Sequence, residues 1–183
     1  MNANVPSTSH YPAAPAAQKI ERHALSVLVD NEPGVLARVI GLFSGRGYNI
    51  DSLTVSETEH EKHLSRITIV TRGTPMVIDQ IKHQLERLVP VHRVVDLTVA
   101  GPSLERELAM VKVRGKGDHR VEALRLADAF RARVIDATTE SFVFELTGKS
   151  DKIDQFVELM LPIGLVEVSR TGVVAISRGP EAM

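Results

Sequence analysis

Two successive rounds of strand, helix, strand, strand, helix, strand predict an α+β fold built from two tandem ferredoxin-like βαββαβ units. Three observations carry this. Apolar periodicity alternates between 2 and 3.6 along the chain. The second round follows the first at an offset of about 85 residues, a repeat of architecture rather than of obvious sequence. A length of 183 residues divides naturally into two small units of about 75 residues each. The expected layout is a disordered tail over 1–21, a first unit over 22–99, a connector over 100–106 and a second unit over 107–183.

The elements follow in order. "HALSVLVD" alternates, with Leu25, Val27 and Val29 on one strand face. "PGVLARVIGLFSGRG" changes period: Val35, Leu36, Val39, Ile40 and Phe43 make one helical stripe, with Pro33 suited to the first turn and Gly47 to the C-terminal cap. "YNIDSLTVSETE" and "LSRITIVTRG" form a hairpin in which Ile67 and Ile69 alternate with Arg66 and Thr68. "TPMVIDQIKHQLERLV" opens on Thr74 as a cap with Pro75 behind it, then aligns Ile78, Ile81, Leu85 and Leu88. "VHRVVDLTV" returns to alternation through Val91, Val95 and Leu97. After "AGPSLERE", the strand "LAMVKVRG", the helix "DHRVEALRLADAFR", a hairpin from "ARVIDAT" and "SFVFELTG", the helix "SDKIDQFVELML" and a closing strand region "LVEVSRTGVVAIS" repeat the order. Each unit leaves a sheet face and edges uncovered, which favours pairing with another copy or a partner.

Composition narrows the function. A net charge of -1 with both signs interspersed, and aromatic residues at only 4 %, argue against a nucleic-acid or anionic-membrane surface. The absence of cysteine removes disulfides, thiolate metal sites and cysteine nucleophiles together, and points to a cytoplasmic setting. No run reaches the ~20 apolar residues of a membrane span. "MNANVPSTSHYPAAPAAQK" is too rich in Ala and Pro to order itself and lacks the pattern of a leader.

A self-contained enzyme needs an acid/base pair, an activated nucleophile, a metal cluster or a cofactor loop. His60 and His63 stand three apart, but in a polar hairpin tip with Glu57, Glu59 and Glu61 that reads as a solvated turn, and His83 lies on a polar helix face. "RGKGD", Arg114 to Asp118, has glycines between a strand and a helix without a Walker or dinucleotide pattern; the turn accounts for them. Phe142 and Phe144 alternate as core residues do. No catalytic or metal-binding residue is assigned.

The informative stretch is "NEPGVLARVIGLFSGRGYNI". Taken singly, Asn31 is a helix cap, Gly34 permits a tight turn and Asn49 opens a strand. Taken together, they suit a zwitterion. A helix N-terminus presents free N–H groups and a positive dipole end to a carboxylate, Gly34 lets it approach, and neutral asparagines both accept from an ammonium group and donate to a carboxylate. Val35, Leu36 and Ile50 supply apolar walls for a small aliphatic side chain. Charge-assisted hydrogen bonds of about 1.5–3 kcal/mol each and a similar gain from burying a Val-sized side chain are adequate for a metabolite sensor.

"LSVLVDNEPGVLARVIGLFSGRGYNIDSLTV", "LSRITIV", "RELAMVKV" and "RTGVVAISRG" resemble, from about Arg22 to Gly179, the small regulatory subunit of acetolactate synthase (acetohydroxyacid synthase). The first of these is similar to that family's ACT domain. "NEPGVL" is shared by many ACT domains, whereas "RVIGLFSGRGYNIDSLTV" and the C-terminal motifs are more specific. The resemblance implies a noncatalytic subunit that pairs through its ACT domain into a homodimer. Such a subunit joins a large catalytic subunit holding thiamine diphosphate, magnesium and FAD, raises its activity and confers feedback inhibition by a branched-chain amino acid, chiefly valine. It further implies an effector at the dimer interface, with Asn31, Gly34, Val35 and Leu36 on one wall and Asn49 and Ile50 of the other copy opposite. No cofactor is expected in this chain. The Ala/Pro tail before Arg22 departs from the family pattern. A free-standing tandem-ACT regulator of gene expression predicts the same pocket without the large subunit; a stand-alone enzyme lacks a constellation to support it.

Overall fold

The computed structural model describes residues 19–59, 61 and 63–182. Most of the expected tail therefore lies outside the described residues, as does His60. The first unit runs β1 (Glu21–Asp30), α1 (Val35–Gly45), β2 (Ser52–Glu59), β3 (Leu64–Gly73), α2 (Pro75–Glu86) and β4 (Val91–Asp96), and its antiparallel sheet has the order β2-β3-β1-β4. The second runs β5 (Ser103–Arg114), α3 (Asp118–Phe130), β6 (Arg133–Ala137), β7 (Ser141–Gly148), α4 (Ser150–Gly164) and β8 (Leu165–Arg170), with the order β6-β7-β5-β8. Both orders are those of the ferredoxin-like arrangement.

Local chemistry explains the boundaries. Thr74 accepts from the Val77 N–H at the start of α2, and Pro75 occupies the first turn, where no intrahelical donor is lost. Gly47, at φ 70°, ends α1: its N–H reaches the Ser44 carbonyl while the Tyr48 N–H reaches that of Phe43, the paired bonds of a Schellman cap. The start of α1 differs from expectation. Helix begins at Val35 after Gly34, which sits at φ 87°, and no side chain caps it. Pro33 therefore lies in the turn ahead of the helix, and Asn31 is not a cap.

Each sheet covers one core. Leu25, Val27 and Val29 of β1 meet Val35, Val39 and Phe43 of α1, Ile67 and Ile69 of β3, and Ile78, Ile81 and Leu85 of α2. Of the expected α1 stripe, Leu36 and Ile40 remain 37 % and 38 % exposed, a shoulder left open among the described residues. Phe142 and Phe144 belong to the second core, with Phe156 set edge-on to Phe144.

Three departures share one cause, the path of the chain's end. First, β5 begins at Ser103, so most of the expected connector is strand. Second, the closing region splits at Thr171–Val173 into β8 and a separate β9 (Val174–Ser177), which pairs with Ser103–Arg106. Third, this ribbon lies over the first sheet's other face, so Ala24, Ser26 and Val70 are buried as fully as the core face. A bulge between Leu28 and Val29 also shifts the β4 register: Val91 and Val94 join the core, while Leu97 turns to the face under β9.

The two units are fastened together. Arg22 donates in a two-pronged fork to Glu105, at 3.1 and 2.8 Å. The Val173 backbone is held at both ends, its N–H by Ser52 Oγ at 2.8 Å and its carbonyl by Thr54 Oγ1 at 3.0 Å. This close approach needs Gly172, which has φ 83° and would place a Cβ 2.8 Å from Ser52 Oγ. Gly172→Ala is expected to cost about 2 kcal/mol from the left-handed backbone and the crowding. Urea unfolding checks it against Gly41→Ala, a helical position with open space around it, where a gain of about 0.5–1 kcal/mol is expected.

Candidate functional site

The turn between β1 and α1 is anchored from below. Asp30 donates its N–H to the Pro90 carbonyl at 2.9 Å, and Asn31 donates its own to the His63 carbonyl at 2.7 Å. The Asp30 carboxylate meets His92 Nε2 at 2.6 Å. Two backbone bonds thus fix the turn and leave the Asn31 side chain exposed.

Beyond it, the left-handed Gly34 aims the chain into α1. The Val35 N–H bonds weakly to the Glu32 carbonyl and that of Arg38 to the Gly34 carbonyl, which leaves the Leu36 and Ala37 N–H groups with no backbone acceptor among the described residues. No acidic residue stands in this first turn to neutralise the positive end of the helix. Gly34 has nothing within 4 Å of where a Cβ would project. The arrangement is an open anion seat with an exposed leucine, Leu36, beside it. Val35 differs from the sequence reading: its side chain is 4 % exposed and belongs to the core, so only its backbone remains for a ligand.

Asn49 and Ile50 stand past the opposite end of the helix. At about 1.5 Å per residue, the 11 residues of α1 separate them from Gly34 by too much for one small molecule to touch both in one chain. Asn49 is held in place nonetheless. Its Nδ2 donates to Asp51 Oδ1 at 2.7 Å, its carbonyl accepts from Thr71 Oγ1 at 2.6 Å, and Arg72 Nε secures Asp51 Oδ2 at 2.7 Å. The amide oxygen makes no hydrogen bond among the described residues and is free to accept. Ile50 packs half-buried against the first core.

Sequence reasoning missed two polar clusters. His23 Nδ1 meets Asp96 Oδ2 at 2.7 Å in the interior, and Asp96 Oδ1 accepts from the Thr98 N–H. The pair has the look of a catalytic dyad, but His23 is 6 % exposed and its Nε2 meets no hydroxyl or other polar partner among the described residues, so it reads as structural. In the second unit, Arg170 grips Glu107 through Nε and Nη2 at 2.8 and 2.7 Å and Asp154 through Nη1 at 2.6 Å, while Ser150 adds a donor to Glu107 at 3.0 Å. Burial pushes the Glu107 carboxyl up, but the Arg170 and Ser150 hydrogen bonds outweigh it and hold the group below its ordinary range. A cleft of about 430 Å³ between the units is lined by this cluster together with Arg22, Asp51 and Arg72. Arg170 and Arg72 pair with carboxylates of the cleft and Arg22 with Glu105 beside it, so the cluster fastens structure rather than presenting a reactive group. No group of three or more metal-ligating side chains occurs among the described residues, and no helix among them is long and apolar enough to cross a membrane.

Comparison with known proteins agrees with this layout. Residues 25–93 match the family described as "AHAS small subunit-like ACT domain", and residues 106–179 match "Small subunit of acetolactate synthase". The chain is 46% identical over 158 residues to a probable acetolactate synthase small subunit of Archaeoglobus fulgidus, covering 86% of this chain and 98% of that protein. It is 47% identical over 163 residues to the acetolactate synthase isozyme 3 small subunit of Escherichia coli, covering 88% and 99%. Among solved structures, the acetolactate synthase small subunit of Thermotoga maritima superposes with a TM-score of 0.79 at 38% identity, covering 88% of this chain and 99% of that one.

Proposed function

The chain belongs to the family of acetolactate synthase small subunits, and from that membership we propose that it activates a thiamine-diphosphate-dependent large subunit and makes it sensitive to valine. The observation that carries the effector reading is the turn into α1: free Leu36 and Ala37 N–H groups, the open left-handed Gly34 and exposed Leu36 side by side. Such a seat takes the carboxylate of a small aliphatic amino acid and part of its side chain.

A single chain offers only half a pocket, since Asn49 stands at the far end of the helix. Pairing of two first units through their open strand edges would supply Asn49 and Ile50 from the second copy and cover the Leu36 and Ile40 shoulder. Valine bound between copies then favours one arrangement of the pair, which the large subunit reads. Linkage requires that association with the large subunit change valine affinity by the same factor. On this reading thiamine diphosphate, magnesium and FAD sit in the large subunit and none is assigned here. Family membership favours this over a free-standing regulator of gene expression.

The test is calorimetric titration with L-valine of the chain reconstituted with its large subunit, with L-phenylalanine as control, alongside synthase activity. Saturable heat for valine alone, with inhibition over the same concentration range, is the expected result. Equal heats for the two amino acids, or valine binding without any change in activity, would overturn the effector role.

A further inference from the structure

We propose that the cleft between the second face of the first sheet and the β5/β9 ribbon is a separate ligand site that takes a short aliphatic monocarboxylate. The cleft encloses about 440 Å³, within the usual range for small-molecule sites. It lies on the opposite side of the sheet from α1, so it is distinct from the amino-acid seat, and it rests on none of the reasoning for that seat.

Its two walls differ in chemistry. The ribbon presents Leu104, Val174 and Ile176, which remain 48 %, 54 % and 54 % exposed although they sit beside one another on one face. The sheet presents hydroxyls, among them Ser56 and Thr68, together with Arg66; Arg106 completes the rim. Two guanidinium groups therefore line the cleft, whose own lining holds no carboxylate among the described residues, while Glu181 lines the adjoining chamber on the other side of Arg66.

Unmet hydrogen-bonding capacity lies buried beside the cleft. Among the described residues, Arg66 Nε is buried without a partner, and so is the hydroxyl of Ser26, a residue with no exposed surface. Ser26 borders a chamber of about 160 Å³ that shares Arg66, Ala175 and Ile176 with the cleft as a common wall. Buried donors left unpaired are costly, which marks this wall of the cleft as under-satisfied. An anion pairs with the Arg66 and Arg106 guanidinium groups, the cleft's own hydroxyls such as Ser56 bond a further oxygen, and an aliphatic body covers the ribbon. A carboxylate carrying about four to six carbons combines these, either as a simple fatty acid or as a 2-oxo acid whose keto oxygen is a further acceptor.

The test follows backbone amide NMR shifts of the full chain during titration with hexanoate and with 4-methyl-2-oxopentanoate, using hexanol and hexylammonium as controls. Saturable shifts at Ser26, Thr68 and Ile176 are expected for a carboxylate, with hexanol at least tenfold weaker and hexylammonium silent. Arg66→Met is expected to weaken binding at least tenfold; should it fail to fold, Thr68→Val serves, with a threefold loss. Tighter binding of 4-methyl-2-oxopentanoate assigns the 2-oxo acid, and tighter binding of hexanoate the fatty acid. The proposal is overturned if neither carboxylate saturates, if the variant binds as the parent does, or if shifts appear only around Gly34 and Leu36.

Discussion

Arg170→Met is expected to lower the stability of the second unit by about 3 kcal/mol at neutral pH, because it strands a buried carboxylate. Glu107 is 5 % exposed, and Arg170 and Ser150 provide its hydrogen bonds. The effect should depend on pH in a definite sense. In the parent, burial raises the Glu107 pKa, the Arg170 and Ser150 hydrogen bonds more than offset it, and the net shift is downward. Its contribution is therefore fully present above the ordinary glutamate value of about 4.3 and is lost as pH falls through the lower folded value. Without Arg170, burial prevails and the shift reverses, so the variant recovers stability as the carboxyl takes up a proton. The gap between parent and variant should thus be widest at pH 7 and smaller near pH 4.5, where the variant's penalty is relieved while the parent's share is still present. Urea unfolding at the two pH values measures it, and an undiminished gap at the lower pH would refute the stranded-carboxylate account. The double change Arg170→Met with Glu107→Gln removes the charge and should recover much of the loss.

The elements that sequence periodicity marked well are those whose patterns answer to a single core. Leu25, Val27 and Val29 alternate, Ile78, Ile81 and Leu85 wind, and Thr74 with Pro75 announces its helix; each signal is local. What escaped depends on distant partners. Ser103–Arg106 reads as a charged connector because Leu104 is its single apolar residue, yet it becomes strand when Val174–Ser177 pairs with it. Likewise Ala24 and Ser26 read as the solvent face of β1 until Val173 arrives from the far end of the chain. The Leu28/Val29 bulge inverted the expected facing of Leu97 for the same reason: register belongs to a pair of strands, not to one. At the proposed effector seat, Asn31, Gly34 and Leu36 were legible because one turn groups them. The hold on Asn49 was not, since Thr71 comes from 22 residues away and meets it only through the β2–β3 hairpin.

Gly34→Asp should weaken valine binding about a hundredfold or more while leaving the fold nearly as stable. The seat offers a carboxylate the N–H groups at the head of α1, and charge-assisted bonds of this kind contribute about 1.5–3 kcal/mol each. A resident carboxylate takes those donors and repels the ligand's own, so losing two of them amounts to at least two factors of ten at about 1.4 kcal/mol per factor. The left-handed backbone at φ 87° strains any side chain there, and three features hold the cost to about 1 kcal/mol. Gly34 is exposed with open space around it, aspartate is among the side chains that tolerate left-handed backbone, and a negative charge at a helix N-terminus is favourable by about 0.3–1 kcal/mol. Gly34→Asn separates charge from bulk, because it has the same shape and backbone tolerance without the charge, and should retain clearly more affinity than Gly34→Asp. Synthase reconstituted with Gly34→Asp should then stay active as valine rises, while the parent is inhibited. Parent-like inhibition in that variant would place the effector elsewhere, because no carboxylate can occupy a seat already filled by one.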